Sequence, residues 1–391
     1  MIPVGNGYKL KGYKRADNVF GIRNHVIVLS TVSCVNGYAQ QIAEQVEGVV
    51  PILHQHGCNH LGDDRVQMVR TLVGMCNNPN VGGALIIGLG CESVGSEEIF
   101  QKVKKNNRVI RTMRVQDIGN SEEIIRTGKQ HLIEIKRHVD EQNLEDFDIS
   151  NLVVGLECGA SDAFSGISAN PTVGAVCDIL IELGATVMFS ETPEMIGAEC
   201  ALRKRALNKD VEGKILSKIN RYIDMARASG CDFLGTNPTP GNIMAGITTI
   251  EEKSLGCIAK SGTSEIREVI DYAEEPKGKG LVMMDTPGND AESITGMVAG
   301  GAHLILLATG LGTPLGHPII PIIKVSSNTT TFEHMRDSID LDAGRVLDGA
   351  SISEIGDEII RFVVKVGQGA RTTSERHSCS QVAINRVGPT F

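Results

Sequence analysis

Short runs of apolar and β-branched residues alternate with amphipathic segments along this chain of 391 residues. In the first part of the chain these runs are continuous, which is typical of parallel strands buried on both faces. The predicted strands are 25–32, 49–54, 83–89 and 108–113. The predicted helices are 36–46, 61–76, 96–106 and 120–142. Ser96 and Ser121 are expected to cap the last two helices, because glutamates closely follow both serines.

An acidic segment at 139–150 is predicted to be a strand-free linker. A second set of apolar runs follows it, with predicted strands at 151–156, 185–190, 280–285, 302–309 and 322–327. The polar segment 236–263 is predicted to be a large, irregular active-site loop. The alternation predicts an α/β fold of two Rossmann-like, three-layer units with mostly parallel sheets. The N-terminal domain is expected at 1–145 and the C-terminal domain at 146–391, with the active site at the carboxyl ends of the strands.

Composition and charge narrow the class of protein. Hydrophobic residues make up 41% of the chain, which is ample for the cores of two domains. The net charge of -9 and the aromatic content of 4% argue against nucleic acid as a partner. The sequence has neither an apolar run of the roughly 20 residues that cross a bilayer nor a signal-like start. We therefore expect a cytoplasmic protein with no membrane partner.

Reactive side chains follow most of the predicted strands, at the sheet edge where α/β proteins bind ligands. In the first domain they are Cys34, the run His54-Gln55-His56-Gly57-Cys58, Cys91 and Glu92. Two imidazoles and a thiol so close together are compatible with a metal site, a nucleophile with its base, or a polar turn. The ten cysteines form no C-x-x-C pair, so a metal site would combine distant segments. A single thiol at a strand end is most often a small core residue, but thiols after three consecutive strands favour a shared site.

The strand ends of the second domain carry hydroxyl, amide and carboxyl groups that suit a polyhydroxylated ligand. No glycine run fits the dinucleotide or P-loop pattern, so the glycines are expected to allow tight turns or the approach of a small anion. Three basic residues are expected to neutralise an acid group on the ligand: Arg23, Lys253 and Lys260. The full set of candidate ligand-binding residues is Arg23, Asn24, Ser161, Ser165, Thr192, Asn237, Lys253, Lys260, Thr286 and Thr309.

Several long motifs occur in order along the chain. They include GYKRADN (12–18), GLECGASDAFSGISANPTVG (155–174), SETPEMIGAE (190–199), GITTIEEKSLGCIAKSGT (246–263) and MDTPGND (284–290). Together they resemble the altronate and galactarate dehydratase family, which includes the large subunit of sulfolactate sulfo-lyase. Full-length members carry a further N-terminal domain of the antifreeze-like type, and because GYKRADN begins so early here, the resemblance implies a separate small antifreeze-like (SAF) subunit. The His-Gln-His before Gly57 departs from the long dehydratases and favours the two-subunit members.

The resemblance implies a carbon-oxygen lyase that dehydrates a 2-hydroxy sugar acid such as altronate or galactarate, giving a 2-keto-3-deoxy acid. It also implies Fe2+ or another divalent metal such as Mn2+, because a cation must spread the charge left by a weakly acidic α-proton. The expected metal ligands are His54, His56, Cys58, Cys91 and Glu92. The candidate proton-transfer groups are Asp162 and Glu157, with His317 in reserve. An iron-sulfur cluster on Cys34, Cys58 and Cys91 is the second choice, because the spacing has no compact cluster signature.

Two alternatives stay open. A sulfolactate sulfo-lyase would share the fold, the metal and the proton abstraction, and would expel sulfite in place of hydroxide as a carbon-sulfur lyase. A non-catalytic α/β ligand-binding protein would keep the fold without the metal. For the enzyme we expect a homo-oligomer that acts on a small 2-hydroxy acid.

Overall fold

The computed structural model describes residues 8–388 apart from 231, 232 and 234. Its strands are β1 (Lys9–Ala16), β2 (Val19–Gly21), β3 (His25–Ser30), β4 (Val49–Ile52), β5 (Val81–Gly88), β6 (Val109–Arg114), β7 (Leu144–Asp148), β8 (Val153–Cys158), β9 (Thr186–Phe189), β10 (Ile266–Ile270), β11 (Gly280–Met284), β12 (Leu304–Thr309), β13 (Ile322–Ser326) and β14 (Leu341–Asp342). Its α-helices are α1 (Asn36–Ala43), α2 (Gly62–Asn77), α3 (Ser96–Lys102), α4 (Val115–Ile118), α5 (Ser121–Asp140), α6 (Ala169–Glu182), α7 (Glu199–Arg203), α8 (Lys209–Ser229), α9 (Pro240–Met244), α10 (Ile250–Ile258), α11 (Asp290–Ala299), α12 (Thr329–His334), α13 (Ile352–Gly367) and α14 (Thr373–Arg376). Each strand and helix predicted from the sequence overlaps one of these elements.

The first sheet has four parallel strands in the order β4-β3-β5-β6. Alternate residues of a strand point to opposite faces, so Val28 and Leu85 pack under α1 and α5. Ile27 and Ile86 pack on the other face, under α2 and α3. The sheet therefore lies between two helical layers.

The second sheet has seven parallel strands in the order β10-β11-β9-β8-β12-β13-β14. Helices α6 and α13 cover one face and α11 covers the other. Helix α13 begins with a capping box between Ser351 and Glu354, and its apolar stripe of Ile355, Ile359 and Val363 is buried. These two parallel sheets confirm the predicted α/β fold.

A third, antiparallel sheet in the order β2-β1-β7 was not predicted. Its last strand lies inside 139–150, so the prediction of a strand-free linker there was wrong. In β7 only Phe147 is buried, where its ring stacks on Phe20 with centroids 5.0 Å apart. The other residues of β7 are exposed and mostly acidic, so the strand has too little apolar periodicity to be recognised.

Two further expectations about local structure are corrected. Ser96 and Ser121 are the first residues of α3 and α5, and the capping positions are Gly95 and Asn120. The segment 236–263 is not irregular, because it contains α9 and α10. In the part of the chain that the structure describes, no helix combines the length and apolar character needed to cross a bilayer.

The two parallel units meet through α2 and α11. A Cβ on Gly74 would lie only 2.3 Å from the carbonyl oxygen of Ala299, so the helix backbones nearly touch. Next to this contact the Asn78 side-chain amide donates to the carbonyls of Val298 at 2.8 Å and Ala302 at 2.9 Å. Because these bonds are buried, they fix one unit against the other.

Candidate active site

The carboxyl end of the seven-stranded sheet gathers four buried side chains that could hold a metal ion, Cys158, Glu191, Glu194 and Cys257. One ligand atom from each lies within 4.8 Å of the others. No other set of His, Cys, Asp and Glu among the described residues meets this condition. We call these four residues the buried Cys-Glu group.

Local backbone geometry positions the group. Strand β8 ends at Cys158, so its thiol lies at the sheet edge. After β9 the chain turns at Glu191, whose φ of 69° lies in the left-handed region that disfavours residues other than glycine. A short 3-10 helix then brings Glu194 over the edge, and α10 packs against this helix and supplies Cys257.

Hydrogen bonds connect the members of the group. The Cys158 amide donates to Glu191 at 3.0 Å, and the Cys158 thiol lies 3.3 Å from both Glu194 Oε2 and Cys257 Sγ. The ammonium of Lys260 donates to Cys158 Sγ at 3.1 Å and to Cys257 Sγ at 2.9 Å. It also forms an ion pair with Glu191, and both of these side chains are fully buried. A buried cation therefore sits among potential metal ligands.

Burial and charge shift the proton affinities of these side chains. Burial, opposed by the Lys260 ammonium, raises the pKa of Glu191 to about 7. Burial favours the neutral amine of Lys260, but the negative charges that Cys158, Cys257 and Glu191 can carry outweigh burial and raise the pKa of Lys260 above its ordinary value. The hydrogen bond to Cys257, together with burial, raises the pKa of the Cys158 thiol. The group thus favours a charged lysine beside a protonated Cys158.

Glu157, a predicted proton-transfer residue, precedes Cys158 and points to the opposite face of the sheet. Its Oε2 accepts hydrogen bonds from Ser190 at 3.0 Å and Ser293 at 2.8 Å, while its Oε1 has no hydrogen-bond partner. Burial, reinforced by the charge of Glu191, raises the pKa of Glu157 well above its ordinary range. This carboxyl group is therefore suited to holding a proton near neutral pH.

A cavity of about 280 Å³ lies beside the buried Cys-Glu group. Four of the residues predicted to bind or transform a ligand line it: Ser161, Asp162, Ser165 and Lys253. The Lys253 ammonium donates to Glu194 at 2.6 Å and to Asn237 at 2.8 Å, which joins the cavity to the group. Burial opposes the charge on Lys253, but Glu194 outweighs burial and raises the pKa of Lys253. The cavity wall therefore carries a cation.

Four hydrogen bonds hold Asp162 in this cavity. Its Oδ1 accepts from the hydroxyls of Ser165 and Ser327, each at 2.8 Å, and from the Phe164 amide at 3.2 Å. Its Oδ2 accepts from the Asn328 side chain at 2.9 Å. Oδ2 accepts only this one hydrogen bond from the described residues, so it keeps acceptor capacity for a substrate proton.

The other predicted ligand residues of this domain lie at the same sheet edge but bond to the protein. The Thr192 hydroxyl donates to Asp285 at 2.8 Å. The Thr286 hydroxyl accepts from the Glu191 amide at 2.8 Å, and the Thr309 hydroxyl accepts from a backbone amide at 3.0 Å. These threonines shape the loops around the cavity.

Three predicted residues lie elsewhere. Arg23 forms a bidentate ion pair with Glu375 at 2.7 Å and 3.0 Å. Asn24 accepts from Arg15 at 2.7 Å. His317 lines, together with Arg23, a separate cavity of about 400 Å³, and burial lowers the pKa of His317 to about 3. The structure does not bring these three residues to the cavity beside the buried Cys-Glu group.

A second set of reactive side chains lies at the carboxyl end of the four-stranded sheet. Cys34 follows β3, Cys58 follows β4 and Cys91 follows β5, and these strands are neighbours in the sheet. We call these three residues the thiol rim. All three are exposed, which argues against the core role expected of single thiols.

Hydrogen bonds connect the three loops of the thiol rim. The Ser33 amide donates to the carbonyl of His56 at 2.8 Å. The Ser93 hydroxyl donates to the carbonyl of Gly57 at 3.2 Å. Glu92, a predicted metal ligand, accepts a hydroxyl hydrogen bond at 3.0 Å from the loop after β3. The loops therefore form one connected surface.

The two histidines predicted as metal ligands contact the backbone of this surface. His54 Nδ1 accepts from the amide of His56 at 3.2 Å, and His54 Nε2 lies 2.8 Å from the carbonyl oxygen of Ser30. His56 Nε2 lies 3.1 Å from the carbonyl oxygen of Ile384. Burial lowers the pKa of His54 to about 4, so this ring is neutral. Metal binding at these histidines stays a prediction. Their contacts with backbone groups explain how the loop after β4 keeps its conformation.

Replacing Gly57 by alanine is expected to destabilise this loop. Gly57 has a φ of 117°, and a Cβ there would lie 2.2 Å from the carbonyl oxygen of Thr31. Backbone strain alone costs about 1–3 kcal/mol, and the contact adds to it. Gly48→Ala is the matched control, because Gly48 has a φ of 77° but open space around its Cβ. Urea unfolding should show the larger loss for Gly57→Ala, and equal losses would refute the close approach.

The sequence prediction did not identify any member of the buried Cys-Glu group as a metal ligand. For the two glutamates a signal existed, since ETPE directly follows a predicted strand. For Cys257 there was none, because its segment was expected to be irregular. Only the docking of α10 brings this thiol to Cys158.

Two family models match the chain. One is described as D-galactarate dehydratase/Altronate hydrolase, second domain, and matches residues 12–140. The other is described as D-galactarate/Altronate dehydratase, C-terminal, and matches residues 149–390. The second of these contains both the buried Cys-Glu group and the cavity beside it.

Curated relatives agree with these matches. The chain is 35% identical to altronate dehydratase from Bacillus subtilis and to that from Escherichia coli, over 97% of this chain and 78% of each relative. It is 34% identical to the (2R)-sulfolactate sulfo-lyase subunit beta from Chromohalobacter salexigens, over 97% of this chain and 98% of that protein. All of these relatives are lyases by name, which sets aside a non-catalytic ligand-binding protein.

Proposed function

The chain belongs to the D-galactarate/altronate dehydratase family of lyases, and on this premise we propose that it dehydrates a 2-hydroxy sugar acid. The names of its relatives support altronate or galactarate as the substrate. The observation that carries the proposal is the cavity in which Ser161, Asp162, Ser165 and Lys253 converge beside the buried Cys-Glu group.

The reaction sets three chemical requirements. Dehydration removes the proton at C2 and expels hydroxide from C3, and the resulting enol becomes a 2-keto-3-deoxy acid. Because the C2 proton is weakly acidic, a cation must stabilise the charge that develops on the carboxylate and the C2 oxygen. A base must accept the proton, and an acid must protonate the departing hydroxide.

The side chains around the cavity can meet these requirements. Lys253 is positioned to bind the substrate carboxylate, and the hydroxyls of Ser161 and Ser165 are positioned to bind substrate hydroxyls. Asp162 accepts the C2 proton at Oδ2. Glu157, whose pKa is raised by burial, is the second proton-transfer candidate, but its side chain does not line the cavity.

The donor atoms of the buried Cys-Glu group suit a divalent metal ion, which would have to displace the Lys260 ammonium from its hydrogen bonds to the two thiols. Two thiols and two carboxylates with ligand atoms within 4.8 Å of one another are a donor set that suits iron(II), with manganese(II) as the harder alternative. When bound, such an ion would polarise substrate oxygens as a Lewis acid. The alternative location is the ligand set predicted from the sequence: His54, His56, Cys58, Cys91 and Glu92.

A sulfo-lyase reaction is the second candidate. The observation that favours it is the 34% identity to the sulfo-lyase subunit beta over 98% of that relative. It begins with the same proton abstraction, but sulfite leaves without the help of an acid. The name of that relative, a subunit beta, also supports a partner subunit, which we expect from the sequence to be small and antifreeze-like. Co-purification from the native host tests this partner and the expected homo-oligomer.

Product analysis decides between the two reactions. The anaerobic protein with iron(II) is incubated with altronate, galactarate or sulfolactate, alone and with the candidate small subunit. We expect a 2-keto-3-deoxy acid from at least one sugar acid. If sulfolactate yields sulfite and neither sugar acid yields a keto-deoxy acid, the chain is a sulfo-lyase and the proposed dehydration is wrong. A chelator should abolish activity and iron(II) should restore it, whereas activity that survives chelation would contradict the metal requirement.

A further inference from the structure

The thiol rim has no role in the proposed cavity, and it requires an explanation of its own. Free cysteines are among the most buried residues of proteins, yet Cys34, Cys58 and Cys91 are all exposed. Among the described cysteines one other is exposed, Cys200 in α7. Three of the four exposed thiols in the described part of the chain therefore occupy one edge of one sheet.

The loops of the rim are built to present these thiols. Gly57 and Gly90 precede Cys58 and Cys91 directly and have φ values of 117° and 127°, which few other residues adopt. Both glycines also lie against other parts of the protein, since a Cβ on Gly90 would lie 2.6 Å from Gln116 Oε1. The backbone turns that aim the thiols are thus fixed by packing.

Hydrogen bonding leaves the thiols available. The imidazoles of the loop after β4 contact backbone groups, as described for His54 and His56. The structure shows no hydrogen bond at the thiols of Cys34, Cys58 or Cys91, all three of which it describes. The side chains around the rim hold the loops, and the sulfur atoms remain free to bind a ligand.

From this arrangement we propose that the thiol rim binds an iron-sulfur cluster, with one iron per thiolate and one iron open to an external ligand. Iron and inorganic sulfide are the required components, and Cys thiolates are the usual protein ligands. The proposal does not rest on the lyase reaction, because it concerns a different sheet edge from the cavity.

A cluster and a single ion differ in how far apart their thiolate ligands lie. Two thiolates on one ion lie at most about 4.6 Å apart, which is twice a metal-sulfur bond of about 2.3 Å. Cys158 and Cys257 meet this limit, with sulfur atoms 3.3 Å apart, whereas the three rim thiols do not form a group whose ligand atoms all lie within 4.8 Å of one another. In a cluster each thiolate binds a different iron, so the sulfur atoms of the protein can lie farther apart.

The test measures iron and acid-labile sulfide in the full chain, purified without oxygen and reconstituted with equal amounts of iron(II) and iron(III) and with sulfide. We expect about four iron and four sulfide per chain, with a broad visible absorption and a paramagnetic signal after reduction. Cys34→Ser, Cys58→Ser and Cys91→Ser should each reduce the sulfide content at least fivefold. Cys200→Ser is the matched control for an exposed thiol and should keep the cluster.

Two outcomes would overturn the proposal. In the first, the chain binds iron without sulfide, and this iron is lost in Cys158→Ser but kept in the rim variants. The metal would then lie in the buried Cys-Glu group. The other is sulfide content that is equal in Cys58→Ser and Cys200→Ser. Because the rim thiols are exposed, replacing them by serine should leave the urea unfolding midpoint unchanged. If Cys58→Ser changes the midpoint, Cys58→Ala provides a second substitution at this position. Neither outcome depends on whether the chain dehydrates a sugar acid.

Discussion

Asp162→Asn is expected to lower kcat by about 10²–10⁴-fold while changing KM much less, because an amide cannot accept the C2 proton. The substitution keeps the size of the side chain, and its remaining oxygen can still accept from Ser165 and Ser327. The measurement is steady-state formation of the keto-deoxy acid from the accepted substrate. Exchange of the C2 proton with deuterated solvent should fall by the same factor.

A matched control separates catalysis from loop structure. Asp340 also holds loop segments, since it accepts from the amides of Thr373 at 2.8 Å and Lys324 at 2.9 Å, but it does not line the cavity. Asp340→Asn should therefore leave C2 exchange almost unchanged, even if it lowers the unfolding midpoint. If Asp162→Asn retains exchange at the original rate, Asp162 is not the base.

Lys260→Met is expected to reduce the free energy of unfolding by about 3–5 kcal/mol, the usual cost of removing one partner from a buried ion pair. Methionine fills similar space, but Glu191 then stays buried without its cation, which raises its pKa further and costs stability. Urea denaturation of the metal-free chain measures the loss. Lys104→Met is the control, because Lys104 pairs with Glu275 at the surface and should contribute far less.

A double variant tests the cause of this loss. In Lys260→Met combined with Glu191→Gln, no buried carboxyl group has to be protonated or left without its cation, so a large part of the stability should return. If the double variant is no more stable than Lys260→Met, the lysine stabilises the protein through packing alone. If Lys260→Met costs no more than Lys104→Met, the buried ion pair contributes little.

The main sheets could be predicted from the sequence because their strands are continuous apolar runs. Strand β5 is buried along its whole length, so each of its residues carries the same signal. The antiparallel sheet could not be predicted, since β7 buries a single side chain, Phe147. The information that makes this segment a strand lies in its partner β1, more than a hundred residues earlier.

Part of the site could be predicted for a similar reason. Ser161, Asp162 and Ser165 follow one strand, and parallel topology makes such loops line the same cavity. The contacts that decide which side chains are free could not be predicted. Arg23 was expected to bind a ligand, yet the structure pairs it with Glu375, 352 positions away. No local pattern reports a partner at that distance.

The contact between His56 and Ile384 joins residues 328 positions apart, and Asp64 pairs with Arg386 across 322 positions. A ribosome that adds about 5–20 residues per second needs on the order of tens of seconds to cover such a separation. Throughout that time the loop after β4 exists on a nascent chain without these anchors. Co-translational folding can therefore complete the four-stranded sheet early, while the loop that presents Cys58 reaches its final form only after the second unit has been synthesised.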